Sequence, residues 1–175
     1  MSRSPYMYIE AYNKYKDSWE KVKVVTYANI LSSTTEPHEI DVWSWNGTHD
    51  VFEILTSGGI YPNFKGIHKG LPINVSKEVK ERWEGLWEDE DFFRPSEDTP
   101  FYFNLADAKL YVAEYPELQD YYYDGYDEDG NLIEKLAPNP LLGVVNRVES
   151  ILSVWEEDWD WFLAPSDIRV VGWIL

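Results

Sequence analysis

GLPINVSKEVKERWEGLWEDEDFF, Gly70 to Phe93, is the stretch on which the reading of the fold turns. Ser76 is placed to cap a helix, because a serine oxygen accepts from the free N–H groups of the first turn. Val79, Trp83, Leu86 and Trp87 then recur at spacings of three and four, which puts them on one face. Lys77, Lys80, Glu81, Arg82 and Glu84 point away from that stripe. The helix is predicted to fade by about Glu88. The run Glu88-Asp89-Glu90-Asp91 then falls at its C-terminus, where the aligned peptide dipoles disfavour negative charge. A conflict of this kind between local charge and local structure is expected at functional sites, though not only there.

Outward from this helix the periodicities change. Pro5 to Tyr12 (PYMYIEAY) reads as a first strand rich in Tyr and Ile, and Lys21 to Tyr27 (KVKVVTY) alternates charged and apolar residues as a strand does. Ser32 to Glu39 is a predicted loop, and Ile40 to Asn46 another alternating strand. His49 to Gly59 reads as a short helix stopped at Gly58. Asn104 caps a helix that ends before Pro116. Asp129-Gly130 is a strong turn dipeptide inside YYYDGYDEDGNLIEKL, which predicts a hairpin. Pro140 after Asn139 opens a helix whose apolar positions are Leu141, Val145, Val148, Leu152, Trp155 and Trp159. Ser166 to Leu175 (SDIRVVGWIL) is a last strand. Strands and helices are interspersed. The expected class is α+β over residues 1–175, a single domain with a mostly antiparallel sheet and three to four helices.

Composition narrows the chemistry. The 175 residues are 44% hydrophobic, enough for a core, and 17% aromatic, which argues against disorder. Nine Trp and 13 Tyr exceed what such a core needs, so some rings are expected in a groove or at an interface. Cysteine is absent, which excludes disulfides, thiolate metal sites and a cysteine nucleophile. The opening MSRSPYMYIEAY lacks the apolar core of a signal peptide, and no run approaches membrane-spanning length. A soluble cytoplasmic protein is expected. The net charge is −17 and lopsided: residues 1–87 carry ten Lys/Arg and eleven Asp/Glu, residues 88–175 five and twenty-one. The acidic half is predicted to repel nucleic acid and anionic membrane, and to attract a basic partner, including one that itself binds nucleic acid. The same acidity also confers solubility.

Few motifs carry reaction chemistry. Asp127, Asp129 and Gly130 fit the third, fifth and sixth positions of a calcium loop, but Gly125 and Leu136 would hold the first and last and neither supplies a carboxylate. A plain turn is therefore expected. His38, His49 and His68 show no metal-ligand spacing, and no nucleophile elbow or phosphate-cradling glycine motif appears. No catalytic residue, metal or cofactor is singled out. Three acid clusters remain as candidate partner-binding surfaces, each flanked by rings. The first is Glu88, Asp89, Glu90 and Asp91 between Trp87 and Phe92. The second is Asp124, Asp127, Glu128 and Asp129 around Tyr126. The third is Glu156, Glu157, Asp158 and Asp160 with Trp159 and Trp161. Carboxylates at irregular spacing with rings between them can imitate phosphates and bases.

Tyr8-Ile9-Glu10, Trp19, Val51-Phe52-Glu53-Ile54-Leu55, Gly70-Leu71-Pro72-Ile73-Asn74-Val75-Ser76-Lys77-Glu78-Val79 and Asp167-Ile168-Arg169-Val170-Val171-Gly172-Trp173 stand in an order that resembles a family of small phage and prophage proteins. Members open Met-Gly-Cys-Asp-Ile-His and carry an internal Arg-Gly-Leu-Pro-x-x-Val-Ser-x-Glu-Val. The resemblance spans most of the chain, with Gly70 to Val79 its specific part. The Cys, Asp and His of the family opening fall on Arg3, Ser4 and Tyr6, and the Arg-Asn-Tyr before its Leu-Phe falls on Gly47, Thr48 and His49. The resemblance implies a shared scaffold with an altered surface, redeployed for binding in an infected or lysogenic bacterial host. The expected function is a phage-type, non-enzymatic inhibitor of a bacterial defence or nucleic-acid-binding protein, such as a CRISPR effector, acting as an acidic decoy of DNA or RNA. Two alternatives stay open. One is an anti-defence binder that sequesters a nucleotide signal in an aromatic pocket, near the basic group Lys65, Lys69, Lys77, Lys80 and Arg82. The other is a degenerate metal-dependent hydrolase.

Overall fold

The strands assemble out of chain order. The computed structural model describes residues 5–23, 25–26, 38–39, 51, 54–55, 61–86, 100–119, 125–131, 133–153 and 163–174. Nine strands lie in them: β1 (Pro5–Asn13), β2 (Ser18–Lys21), β3 (Val25–Thr26), β4 (His38–Glu39), β5 (Ile67–Lys69), β6 (Phe101–Asn104), β7 (Glu117–Gln119), β8 (Leu136–Pro138) and β9 (Ile168–Ile174). The main sheet runs β2-β1-β9-β6-β5, with every neighbouring pair antiparallel. β3 pairs with β4 and β7 with β8 in two small ribbons. Three α-helices have their bounds among the described residues, α1 (Lys77–Gly85), α2 (Leu105–Glu114) and α3 (Pro140–Ser153), and Val51, Ile54 and Leu55, in the stretch read as a short helix, are helical as well. The class is α+β, as expected.

Strand alternation gives the sheet two different faces. Met7, Ile9, Ala11, Phe101, Phe103, Ile168 and Val170 pack with Leu105, Ala108 and Tyr111 of α2 and with Leu141, Val144, Val145, Val148 and Ile151 of α3. Gly172 also belongs to this face. A Cβ there would lie 2.6 Å from the Tyr6 carbonyl oxygen, 2.7 Å from Met7 Cγ and 2.9 Å from the Phe101 ring, so only glycine admits the contact. The opposite face carries Tyr8, Val171 and Trp173, covered by Val79 and Trp83 of α1. Trp173 packs against Tyr8 at 5.1 Å and Trp83 at 5.3 Å between ring centroids.

The helices start where their caps require. The Ser76 side chain accepts from Val79 N–H, Asn104 from Ala106 N–H, and Asn139 from Leu141 N–H. Two expectations need correction. The strand read at Lys21 to Tyr27 is divided: β2 begins at Ser18 and ends at Lys21, β3 (Val25–Thr26) lies within the predicted span in a separate ribbon, and Val22 between them is buried and donates its N–H to the Ile9 carbonyl. Alternation holds through the junction, since Val22 lies opposite Ile9 in the same register, so pattern alone could not divide the stretch between two ribbons. The α3 stripe runs through Val144 and Ile151, with Leu152 only partly buried. Leu141, Val145 and Val148 are buried as read from sequence, and Val144 and Ile151 widen the same face. Ile40 to Asn46, Trp155 and Trp159 lie outside the described residues.

Candidate functional site

The second acid cluster sits at the tip of the β7–β8 arm. Asp127 N–H donates to the Asn131 carbonyl, Gly130 N–H donates back to Asp127, and Ile133 N–H to Gly125. Glu128, Asp129 and Gly130 thus form a three-residue loop, with Gly130 left-handed at φ 82°. The turn is a type I turn closed by a glycine bulge, with Asp129-Gly130 in the loop of the hairpin as expected. Asp127 directs its carboxylate inward. It accepts from Asp129 N–H at 3.0 Å, Asn131 N–H at 2.8 Å and Asn131 Nδ2 at 3.2 Å. The hydrogen bond from the Asn131 backbone, above all, lowers its pKa below the ordinary carboxylate range. Both Asp127 oxygens are therefore engaged by the turn itself, which accounts for this acid as a turn-former rather than an ion ligand. Among the described residues no group of three or more His, Asp or Glu side chains could hold a metal ion. Tyr126, beside Asp127, is 69% exposed, and Glu128, Asp129, Ile133, Glu134 and Leu136 are exposed around it. Trp87, Glu88, Asp89, Glu90, Asp91, Phe92 and Asp124 lie outside the described residues, as do Glu156, Glu157, Asp158, Trp159, Asp160 and Trp161.

A second constellation joins residues far apart in sequence. Glu10 on β1 and Arg169 on β9 are register partners on the α1 face of the sheet. Arg169 Nε donates to Glu10 Oε2 at 2.6 Å. The other Glu10 oxygen accepts from Ser76 N–H at 2.7 Å, which places a carboxylate at the N-terminus of α1, where the helix dipole favours it. Arg169 Nη1 and Nη2 donate to the Asn74 side chain at 2.8 Å and its carbonyl at 3.0 Å. The guanidinium carbon lies 4.0 Å over the Trp19 ring, a cation–π contact. Glu10 has no exposure to solvent. Burial pulls the Arg169 pKa down, and the Glu10 carboxylate opposes that pull.

This buried set was missed as a constellation, although Glu10, Trp19, Asn74, Ser76 and Arg169 all fall within the segments that carry the phage-family resemblance. Its chemistry is that of a latch. Each carboxylate oxygen and each guanidinium nitrogen named here has a partner, and none is presented to solvent as an acid or base. The latch ties the loop between β5 and α1 to the centre of the sheet. His68 of β5 stacks on Tyr102 with ring centroids 4.8 Å apart, and His49 lies outside the described residues. No helix among the described residues is long and apolar enough to cross a membrane. No protein-family model, curated protein or solved structure matches the chain.

Proposed function

We propose that the protein is a non-enzymatic, phage-type inhibitor that binds a basic, nucleic-acid-binding host protein and occupies the groove meant for DNA or RNA. An anti-CRISPR-like decoy is its concrete form, in the cytoplasm of an infected or lysogenic bacterium. The observation that carries the reading is the hairpin tip. Tyr126 stands 69% exposed next to a turn that Asp127 ties together from within and that leaves Glu128 and Asp129 exposed. A flat ring among carboxylates offers a basic groove both a stacking surface and charges to pair. The net charge of −17 supplies long-range attraction to such a groove and repulsion from nucleic acid itself. The closed Glu10–Arg169 pair supports a binding role over a catalytic one, because the buried charges are consumed in holding the scaffold.

Capture from host lysate, repeated with duplex DNA and single-stranded RNA as competitors, tests the proposal. Binding is expected to fall by about tenfold or more between low and high salt, as electrostatically steered contacts do. Glu128→Lys with Asp129→Lys is expected to weaken it further without loss of fold, since both residues are exposed. Affinity that is indifferent to salt and to nucleic-acid competitor sinks the decoy reading.

A further inference from the structure

The loop Gly70 to Ser76 carries a large apolar side chain that is exposed to solvent. Ile73 is fully exposed, the most exposed of the large hydrophobic residues described. Its backbone is held on both sides. Gly70 enters the loop at φ 83° and donates its N–H to the Pro100 carbonyl at 2.7 Å. Pro72 is buried, and Val75 N–H closes a turn back onto the Pro72 carbonyl at 3.1 Å. Immediately after Ile73, Arg169 grips Asn74 twice, and Glu10 grips Ser76. A buried ion pair contributed by two central strands thus fixes a turn whose apex is a bare isoleucine. The surroundings differ in charge from the rest of the molecule. From Lys65 to Lys77 there are three lysines, His68 and no Asp or Glu, in a chain of net charge −17. Lys65, His68, Lys69 and Lys77 are all exposed.

We infer that this loop is a preformed recognition element, in which Ile73 seats in an apolar socket rimmed by carboxylates on a partner protein. A rigid apex loses little freedom on docking, and a single anchor filling a desolvated pocket can dominate an interface. The flanking lysines match an acidic rim. An anionic membrane is the poorer fit. A bilayer presents an extended negative surface that repels the whole acidic chain, whereas a socket meets only charges within about 8 Å, one Debye length. The inference goes beyond the decoy reading. It concerns a basic, apolar surface on the other half of the sequence, and either can fail without the other.

The test places the photoreactive residue p-benzoylphenylalanine at position 73, with position 15 as an exposed control, and irradiates each protein in host lysate. A discrete protein adduct is expected at 73 and not at 15, and it is expected to disappear when Lys69→Glu and Lys77→Glu are added. The adducted protein is then purified and titrated. Ile73→Asp is expected to weaken its binding by about tenfold or more, with Ile73→Val close to the parent and melting temperature unchanged in both. Because the contact is mainly apolar, the loss persists at high salt, which separates it from the decoy contact. No adduct at 73 above the control, adducts to lipid alone, or binding indifferent to Ile73→Asp each overturn the inference.

Discussion

Arg169→Met is the substitution that best probes how this fold is held. The side chain makes three hydrogen bonds, one to Glu10 and two to Asn74, and lies over Trp19. Methionine keeps much of the apolar volume and none of the donors. Glu10 would then keep one hydrogen bond, from Ser76 N–H, and remain fully buried with its charge unpaired. Breaking a buried ion pair from one side costs about 3–5 kcal/mol, a large fraction of the roughly 5–15 kcal/mol typical of domain stability. Glu10→Leu is expected to cost a similar amount, because it strands the guanidinium. Removing both partners strands neither. The double variant Glu10→Leu with Arg169→Met is therefore expected to lose less than the sum of the singles, by about 2 kcal/mol or more. Urea unfolding followed by circular dichroism measures all three against the parent, with the denaturant slope as a check on two-state behaviour. A loss below about 1 kcal/mol for Arg169→Met, or strict additivity in the double variant, refutes the latch.

Three further outcomes are expected. Gly172→Ala forces a methyl against the Tyr6 carbonyl and the Phe101 ring, and should cost about 1–3 kcal/mol in the same assay; an unchanged midpoint would show that the strands can part there. Tyr111 donates its hydroxyl to the Pro62 carbonyl at 2.7 Å, and burial raises its pKa to about 12 from the usual 10.0. Its contribution to stability is thus full below pH 10 and lost as pH rises through 12, so Tyr111→Phe should flatten the alkaline limb of the stability curve in that window. Asp127 has a lowered pKa, so its contribution is present above the ordinary carboxylate range and lost as pH falls through the lowered value. Side-chain carboxyl NMR should therefore find Asp127 titrating below 3.8, and Asp127→Ala should speed amide exchange at Asn131; titration at the ordinary value would mean that the turn does not hold it.

Local signals were legible and long-range ones were not. Ser76, Asn104 and the Asn139-Pro140 pair each announced a helix start through chemistry confined to one turn, and the structure uses all three caps. β1 and β9 could be read because Tyr, Ile and Val crowd into short runs. Their adjacency could not, since Glu10 and Arg169 are 159 residues apart and pattern alone does not say which strands meet. The latch was hidden for the same reason: Glu10 read as one acid among 32 until the register placed it opposite Arg169. The hairpin turn was read at the right place but without its loop length, because Asp-Gly suits both a two-residue turn and the end of a type I turn. Hydrogen bonding by Asp127 to its own turn decides between them. Of the candidate partner surface, the sequence shows the acids and the rings. Only at Tyr126 to Asp129 does the structure say how they are presented.

The position of β9 has a consequence for how the protein is made. β1 and β6 touch β9 and not each other, so the two halves of the sheet have no common neighbour until Ile174 has been synthesised. At about 5–20 residues per second, β1 waits roughly 8 to 30 seconds on the ribosome for its central partner. During that wait Met7, Ile9 and Ala11 have no β9 neighbour to cover their edge, an invitation to chaperones and to misplaced pairing with other nascent chains. High expression rates, which crowd many waiting chains together, should therefore yield insoluble material first, and making fewer chains at once should recover folded protein even though the molecule is highly charged.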